Sequence, residues 1–232
     1  MWRPGSWPTS RISSGPVAEI DWKEARRYLG LHRGGGTVDE VLEAGLRDCG
    51  RALMACARPR SVWRRFPLAL GEGRVETAGL QVESLHLRRH LEGCTAVCLF
   101  AATLGPEVDR LLHRASVTDV SRAVMIQACA ASLLEVYCDE CCAAIAAQTA
   151  AEGLTLRPRF SPGYGDFPIS CQRALLRALE APKRIGLTAT ETMMLTPTKS
   201  VTALVGLSPE AAPCRPGGCR ACGKADCAFR LE

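Results

Sequence analysis

The sequence predicts an α+β fold, and three observations carry that expectation. Residues 75–82 and 185–207 alternate apolar and polar side chains, as half-buried strands do. Segments at 20–29, 38–56, 107–114, 121–151 and 170–180 instead repeat apolar residues at helical spacing. The two kinds of segment do not alternate regularly along the chain, which argues for separate layers of strands and helices over a doubly wound parallel sheet.

Residues 1–16, rich in Pro, Ser, Gly and Arg, read as a disordered tail. Asp21 stands where a helix over 20–29 would take its N-cap, and the glycines within 30–36 stop that helix. Residues 38–56 place Val38, Val41, Leu42, Leu46 and Leu53 on one helical face and end before Pro59. From 66 to 91 the pattern is mixed, with a turn at 71–73. The apolar run 95–104 suits a strand buried on both faces, and Pro106 suits the first position of the helix that follows. A long helix rich in Ala and Cys covers 121–151, and an irregular Arg/Pro/Gly loop occupies 157–168. The helix at 170–180 and the second alternating region complete a domain expected over 17–208, and 209–232 form a Cys-rich tail.

With 232 residues, 47% hydrophobic and 23% charged, the chain can bury a core and is not a wholly disordered polypeptide. Thirteen cysteines, an odd number placed mostly in apolar periodic segments, point to reduced thiols and not to a secreted disulfide framework. No apolar run of signal-peptide length opens the sequence, and the longest apolar stretch, 123–147, is broken by Gln127, Glu135, Asp139 and Glu140. The expectation is a cytoplasmic protein with no membrane partner. The net charge of +5 is densest at Arg58, Arg60, Arg64 and Arg65, interleaved with Trp63 and Phe66. Basic residues among aromatics suit nucleic acid, but no nucleic-acid module accompanies them. A solvated or protein-docking face is expected, with no nucleic-acid partner.

The most unusual segment is Arg157-Pro158-Arg159-Phe160-Ser161-Pro162-Gly163-Tyr164-Gly165-Asp166. Its glycines allow positive φ or close approach to a ligand, and Pro162 stiffens the chain between them and Arg159. Arg159 offers a forked donor for a carboxylate or phosphate, and Tyr164 a flat ring with a polar tip. A rigid turn whose arginine pairs with a helix carboxylate is the alternative.

Arg159 to Tyr164, then Ile185-Gly186-Leu187-Thr188-Ala189-Thr190-Glu191, then Pro197-Thr198-Lys199-Ser200-Val201, carry R-x-x-P-G-Y, I-G-x-x-x-T-E and P-x-x-S-V patterns in that order. Together with Ile20-Asp21-Trp22, they resemble the activation domain of cobalamin-dependent methionine synthase over roughly residues 19–208. The resemblance implies a mostly antiparallel, twisted sheet with flanking helices. It also implies binding of S-adenosylmethionine beside a cobalamin-bearing partner, whose inactive cobalt is reduced by one electron and then methylated. A free-standing reactivation subunit, a methyltransferase component acting in trans, is the expectation. Its partners would be the cobalamin-binding domain of a methyltransferase and a flavodoxin- or ferredoxin-like electron donor.

By this resemblance Arg159 would pair with the ligand carboxylate, and Asp21 or Glu135 would hold its amino group. Ser161 and Gly163 would contact the adenosine through their backbone, and Tyr164 would lie near the transferred methyl and the corrin face. The chain departs from the family at Phe167-Pro168-Ile169-Ser170, where the family has Cys, Asp and His, and at Leu204-Val205, where it has an aromatic pair.

Cys214, Cys219, Cys222 and Cys227 form a C-x4-C-x2-C-x4-C pattern among Pro and Gly. Four thiolates so close together can surround zinc or, with the same ligands, an iron–sulfur cluster. An unliganded reduced tail is the alternative. The other nine cysteines read as small core residues, although Cys138 and Cys142 share a helical face. Two other functional classes stay open: a non-catalytic adapter for a corrinoid protein, and an electron-transfer module built on the tail.

Overall fold

Successive side chains of a strand face opposite sides, and in the central strand of this protein both sides are core. The computed structural model describes residues 11–13, 19–31 and 40–209. Its main sheet has the order β1 (Arg11–Ser13), β2 (Arg60–Pro67), β6 (Ala96–Thr103), β10 (Ser200–Ser208) and β7 (Thr155–Phe160), with every neighbouring pair antiparallel. Strand β6 is buried at all positions. Ala96, Cys98, Phe100 and Ala102 enter one apolar cluster, and Val97, Leu99 and Ala101 the other.

The first cluster is closed by helices α1 (Trp22–Tyr28), α2 (Glu40–Cys56), α4 (Pro106–Thr118) and α5 (Val120–Ala150). The second is closed by α3 (Leu85–His90), α6 (Cys171–Ala178), α7 (Ala181–Ile185) and the small sheet β3 (Ala69–Leu70), β4 (Arg74–Thr77), β5 (Leu80–Glu83). A two-residue pairing of β8 (Thr188–Ala189) with β9 (Leu195–Thr196) precedes β10. The architecture is therefore the α+β class expected, an antiparallel sheet with helices on both faces.

Local chemistry explains the boundaries. The Asp21 carboxylate accepts from the backbone N–H groups of Lys23 and Glu24 and so caps α1. Pro106 occupies the first turn of α4 after Gly105, whose φ of 91° and approach to the Arg58 carbonyl exclude a side chain. Arg26 pairs with Glu43 at 2.6 Å and Arg122 with Asp48 at 2.7 Å, tying α1 and α5 to α2.

Three expectations need correction. Arg58–Phe66 is not one basic face: Arg60 to Phe66 lie in β2, where Trp63 is core. Arg58 donates to the Ala55 and Ala57 carbonyls, Arg64 to the Ala178 carbonyl while lying over Phe66, and Arg65 to Glu152 at 2.7 Å. The segment 157–168 is not loop throughout, because β7 runs to Phe160. Pro158 is tolerated there because β7 is an edge strand, with only β10 beside it. Within the stretch read as a tail, Arg11–Ser13 pairs with β2. Among the described residues, no helix is long and apolar enough to cross a membrane.

Candidate functional site

A groove of about 580 Å³ runs between α5 and β7, within the range of small-molecule sites. The α5 wall presents Glu135, Asp139, Cys142, Ala143 and Ala146, a single helical face. The opposite wall comes from residues 156–159, Ser161 and Tyr164, with Val201 of β10 between them.

Arg159 is placed by the register of the sheet. Val205 faces Arg159 and Leu207 faces Leu156, so Arg157 and Pro158 together oppose Gly206. This two-against-one bulge absorbs Pro158, and it re-aims the neighbouring side chains as bulges do. Arg159 turns to α5, donating from Nη2 to Glu135 and from Nη1 to Asp139, both at 2.6 Å. Nη1 also reaches the Cys142 sulfur at 3.7 Å. Arg157 turns the other way, donating to the Glu92 carbonyl at 3.1 Å.

The Nε–H of Arg159 and one hydrogen of its Nη2 donate to nothing among the described residues. The Nε–H is thus a donor left for a ligand carboxylate, as a charge-assisted bond. A ligand carboxylate can dock there with both ion pairs intact. Burial works against the Arg159 charge, but its hydrogen bonds, that to the Asp139 carboxylate first, favour it, and the pKa is raised. Burial also pushes the Cys138 and Cys142 thiols up, with Arg159 only partly opposing it. Both remain protonated at neutral pH and are not activated nucleophiles.

The loop after β7 is fixed at two points. Asp166 accepts from the Ser84 hydroxyl and from the backbone N–H groups of Leu85 (2.7 Å) and His86 (3.1 Å), which holds the loop to the start of α3. These bonds, that of Ser84 first, hold its carboxyl below the usual aspartate value. Phe167 is buried, stacked on Phe160 with ring centroids 6.3 Å apart. Between them Gly165 has a φ of 55° and lies against His86, with no room for a β-carbon. Tyr164 stands at the tip, 58% exposed, with its ring edge against Phe160. The turn is closed by Gly163 N–H donating to the Phe167 carbonyl at 2.8 Å. Behind β7, His90 meets the Pro158 carbonyl at 2.9 Å, and burial lowers its pKa, as for a packed imidazole.

The structure thus brings Glu135, Arg159, Ser161 and Tyr164 to one groove. Gly163 shapes the loop without lining the groove, and neither does Asp21, whose carboxylate caps α1. The Ser132 hydroxyl donates to the Asp21 carbonyl, fixing the start of α1 to α5 one turn before Glu135. Burial, with the Glu135 charge second, raises the pKa of Tyr28 on that same helix.

Asp139 and Cys142 were missed as site residues, although their spacing of four and seven from Glu135 would have found them once α5 was assigned. Of the segment 197–201, only Val201 reaches the groove. Thr198 donates to Asp109 from its N–H and hydroxyl, and Lys199 is buried with its ammonium 3.4 Å from the Gln127 carbonyl. Leu204 and Val205 lie in opposite core clusters, so neither substitutes for the aromatic pair at a ligand. Cys214, Cys219, Cys222 and Cys227 fall outside the described residues. Among the described residues, no group of three or more His, Cys, Asp or Glu is arranged to hold a metal.

Neither a family model nor a curated protein matches this chain. By structure, the chain is similar to a MetH reactivation domain solved bound to AdoHcy. The TM-score is 0.61 and the sequences are 18% identical, over 88% of this chain and 79% of the other. At that identity the likeness establishes a shared fold.

Proposed function

We propose that this protein binds S-adenosylmethionine in the α5–β7 groove and presents its methyl group to the reduced corrinoid of a separate methyltransferase, methionine synthase or a related enzyme, returning it to activity. One observation carries the reading: Arg159, with its Nε–H uncommitted and its Nη groups held by Glu135 and Asp139, lies in a groove of a fold shared with a MetH reactivation domain. An amino acid zwitterion fits that constellation, with its carboxylate on Arg159 and its ammonium on Glu135.

The remaining residues position and do not react. From the loop, the Ser161 hydroxyl is the group available to the adenosine, because Gly163 does not line the groove and its N–H is held by the Phe167 carbonyl. Tyr164, anchored through Asp166 and Phe167, would pack beside the methyl and the corrin. Holding a sulfonium methyl in line with its acceptor accelerates transfer by proximity and orientation, and the corrinoid supplies the bond-forming chemistry. The electron donor would be flavodoxin- or ferredoxin-like, and the four tail cysteines would hold zinc or an iron–sulfur cluster.

The test combines two measurements. Calorimetric titration with S-adenosylmethionine should give saturable binding. Mixing the protein with a Co(II) corrinoid methyltransferase, a reductant and methyl-labelled S-adenosylmethionine should then place label on cobalt. No heat at millimolar ligand, together with binding of the corrinoid protein, would make this chain an adapter instead.

A further inference from the structure

We infer that Asp139 gives the groove a preference for the positively charged sulfonium over its neutral thioether product, so that methyl transfer itself weakens the site's hold on the ligand. This rests on the S-adenosylmethionine reading and adds a residue that distinguishes substrate from product.

The charge count carries the argument. Glu135 and Arg159 form a one-to-one pair, and Asp139 is a second carboxylate on the same guanidinium. Arg157, the other cation lining the groove, is directed to the Glu92 carbonyl and away from α5. The α5 side of the groove therefore carries one surplus negative charge. Asp139 holds it at the open edge, its side chain 74% exposed against 19% for Arg159.

S-adenosylmethionine carries a carboxylate, an ammonium and a sulfonium, a net charge of +1, whereas S-adenosylhomocysteine is a net-neutral zwitterion. Glu135 and Asp139 are one turn apart, about 6 Å along the helix axis. The ammonium nitrogen and sulfonium sulfur are joined by four bonds and lie about 5 Å apart when extended. Both carboxylates can thus face a cation at once when the sulfonium is bound, and one of them loses its partner when it is not.

In the transfer the carbon–sulfur bond breaks with its electron pair left on sulfur, and the nucleophilic corrinoid supplies the pair for the new bond to the methyl carbon. The sulfonium becomes a thioether, and the attraction to Asp139 ends with it.

Dissociation constants for both ligands, measured by calorimetry at low salt on the full chain and on Asp139→Asn, Asp139→Glu and Glu135→Gln, test this. The wild type should favour S-adenosylmethionine. Asp139→Asn should lower that preference about five-fold, the effect of one unit-charge contact at water-like dielectric. The loss should fall on S-adenosylmethionine, and Asp139→Glu should restore it. Raising the salt should shrink the difference. Glu135→Gln should weaken both ligands, because both carry the ammonium. An unchanged ratio in Asp139→Asn, with both ligands still binding, overturns this inference alone. Failure of the wild type to bind either ligand overturns it together with the function proposed above.

Discussion

Two arginine-rich segments with aromatic neighbours, 58–66 and 157–164, occupy strands of the same sheet and end in opposite roles. Strand β2 is an inner strand, paired to β6 along its length and to β1 over Ser61–Trp63, which are buried, and its arginines reach out to neighbouring elements: Arg64 to the end of α6, and Arg65 to Glu152 beyond α5. Strand β7 is an edge, carries a bulge, and leaves Arg159 in a groove with its Nε–H uncommitted. The difference teaches that an arginine's role here follows from the position of its strand in the sheet, not from local sequence density.

That contrast can be broken by mutation. The largest effect should come from β2: Trp63→Ala removes a buried indole and should cost about 3–5 kcal/mol of stability. Chemical denaturation would measure it, and a cost below 1 kcal/mol would mean that β2 is not the structural partner in the comparison. Next, Arg159→Ala should weaken S-adenosylmethionine by about 1.5–3 kcal/mol, as loss of a charged hydrogen-bonding partner does. Calorimetry would read this, and unchanged affinity would remove Arg159 from the site.

The smallest effect sharpens the picture of the loop. The Asp166 carboxyl is held below its ordinary value by Ser84 and by the N–H groups of Leu85 and His86. A lowered folded pKa stabilises the protein above the unfolded aspartate value, about 3.9, and that contribution is lost as pH falls through the folded value. Asp166→Ala should therefore lower Tm at neutral pH, and the gap to the wild type should close in acid. It should also weaken ligand binding by loosening Tyr164. A constant gap in Tm from neutral pH to below pH 3 would show that the carboxylate is not the anchor.

Much of this was legible before the structure. The alternation at 75–82 became β4 and β5, the run 95–104 became β6, and Asp21 caps α1, because periodicity and capping are decided within a few residues. Strand β2 was not legible, since its basic residues mask a strand whose partners lie 29 or more residues away. Helices α3 and α7 were missed because each is a turn or two long, below the length at which a period shows. Arg159, Ser161 and Tyr164, which line the groove, lie in one local motif that the sequence displays directly. Asp139 went unnoticed because its significance lies in an arginine twenty residues further on. Asp21 was named for a ligand and is engaged in a cap, as its position before a helix equally allowed.

The sequence by itself determined the long, strongly periodic elements, the α+β class and the stiff, glycine-bearing loop around Tyr164, all short-range properties of spacing and backbone freedom. Only the tertiary structure decided that β7 would be an edge strand, that its bulge would turn Arg159 to α5 and Arg157 away, and that two carboxylates would meet one guanidinium there. Those outcomes depend on which distant strands pair, and pairing is set by burying both faces of β6 at once, a condition on the whole chain.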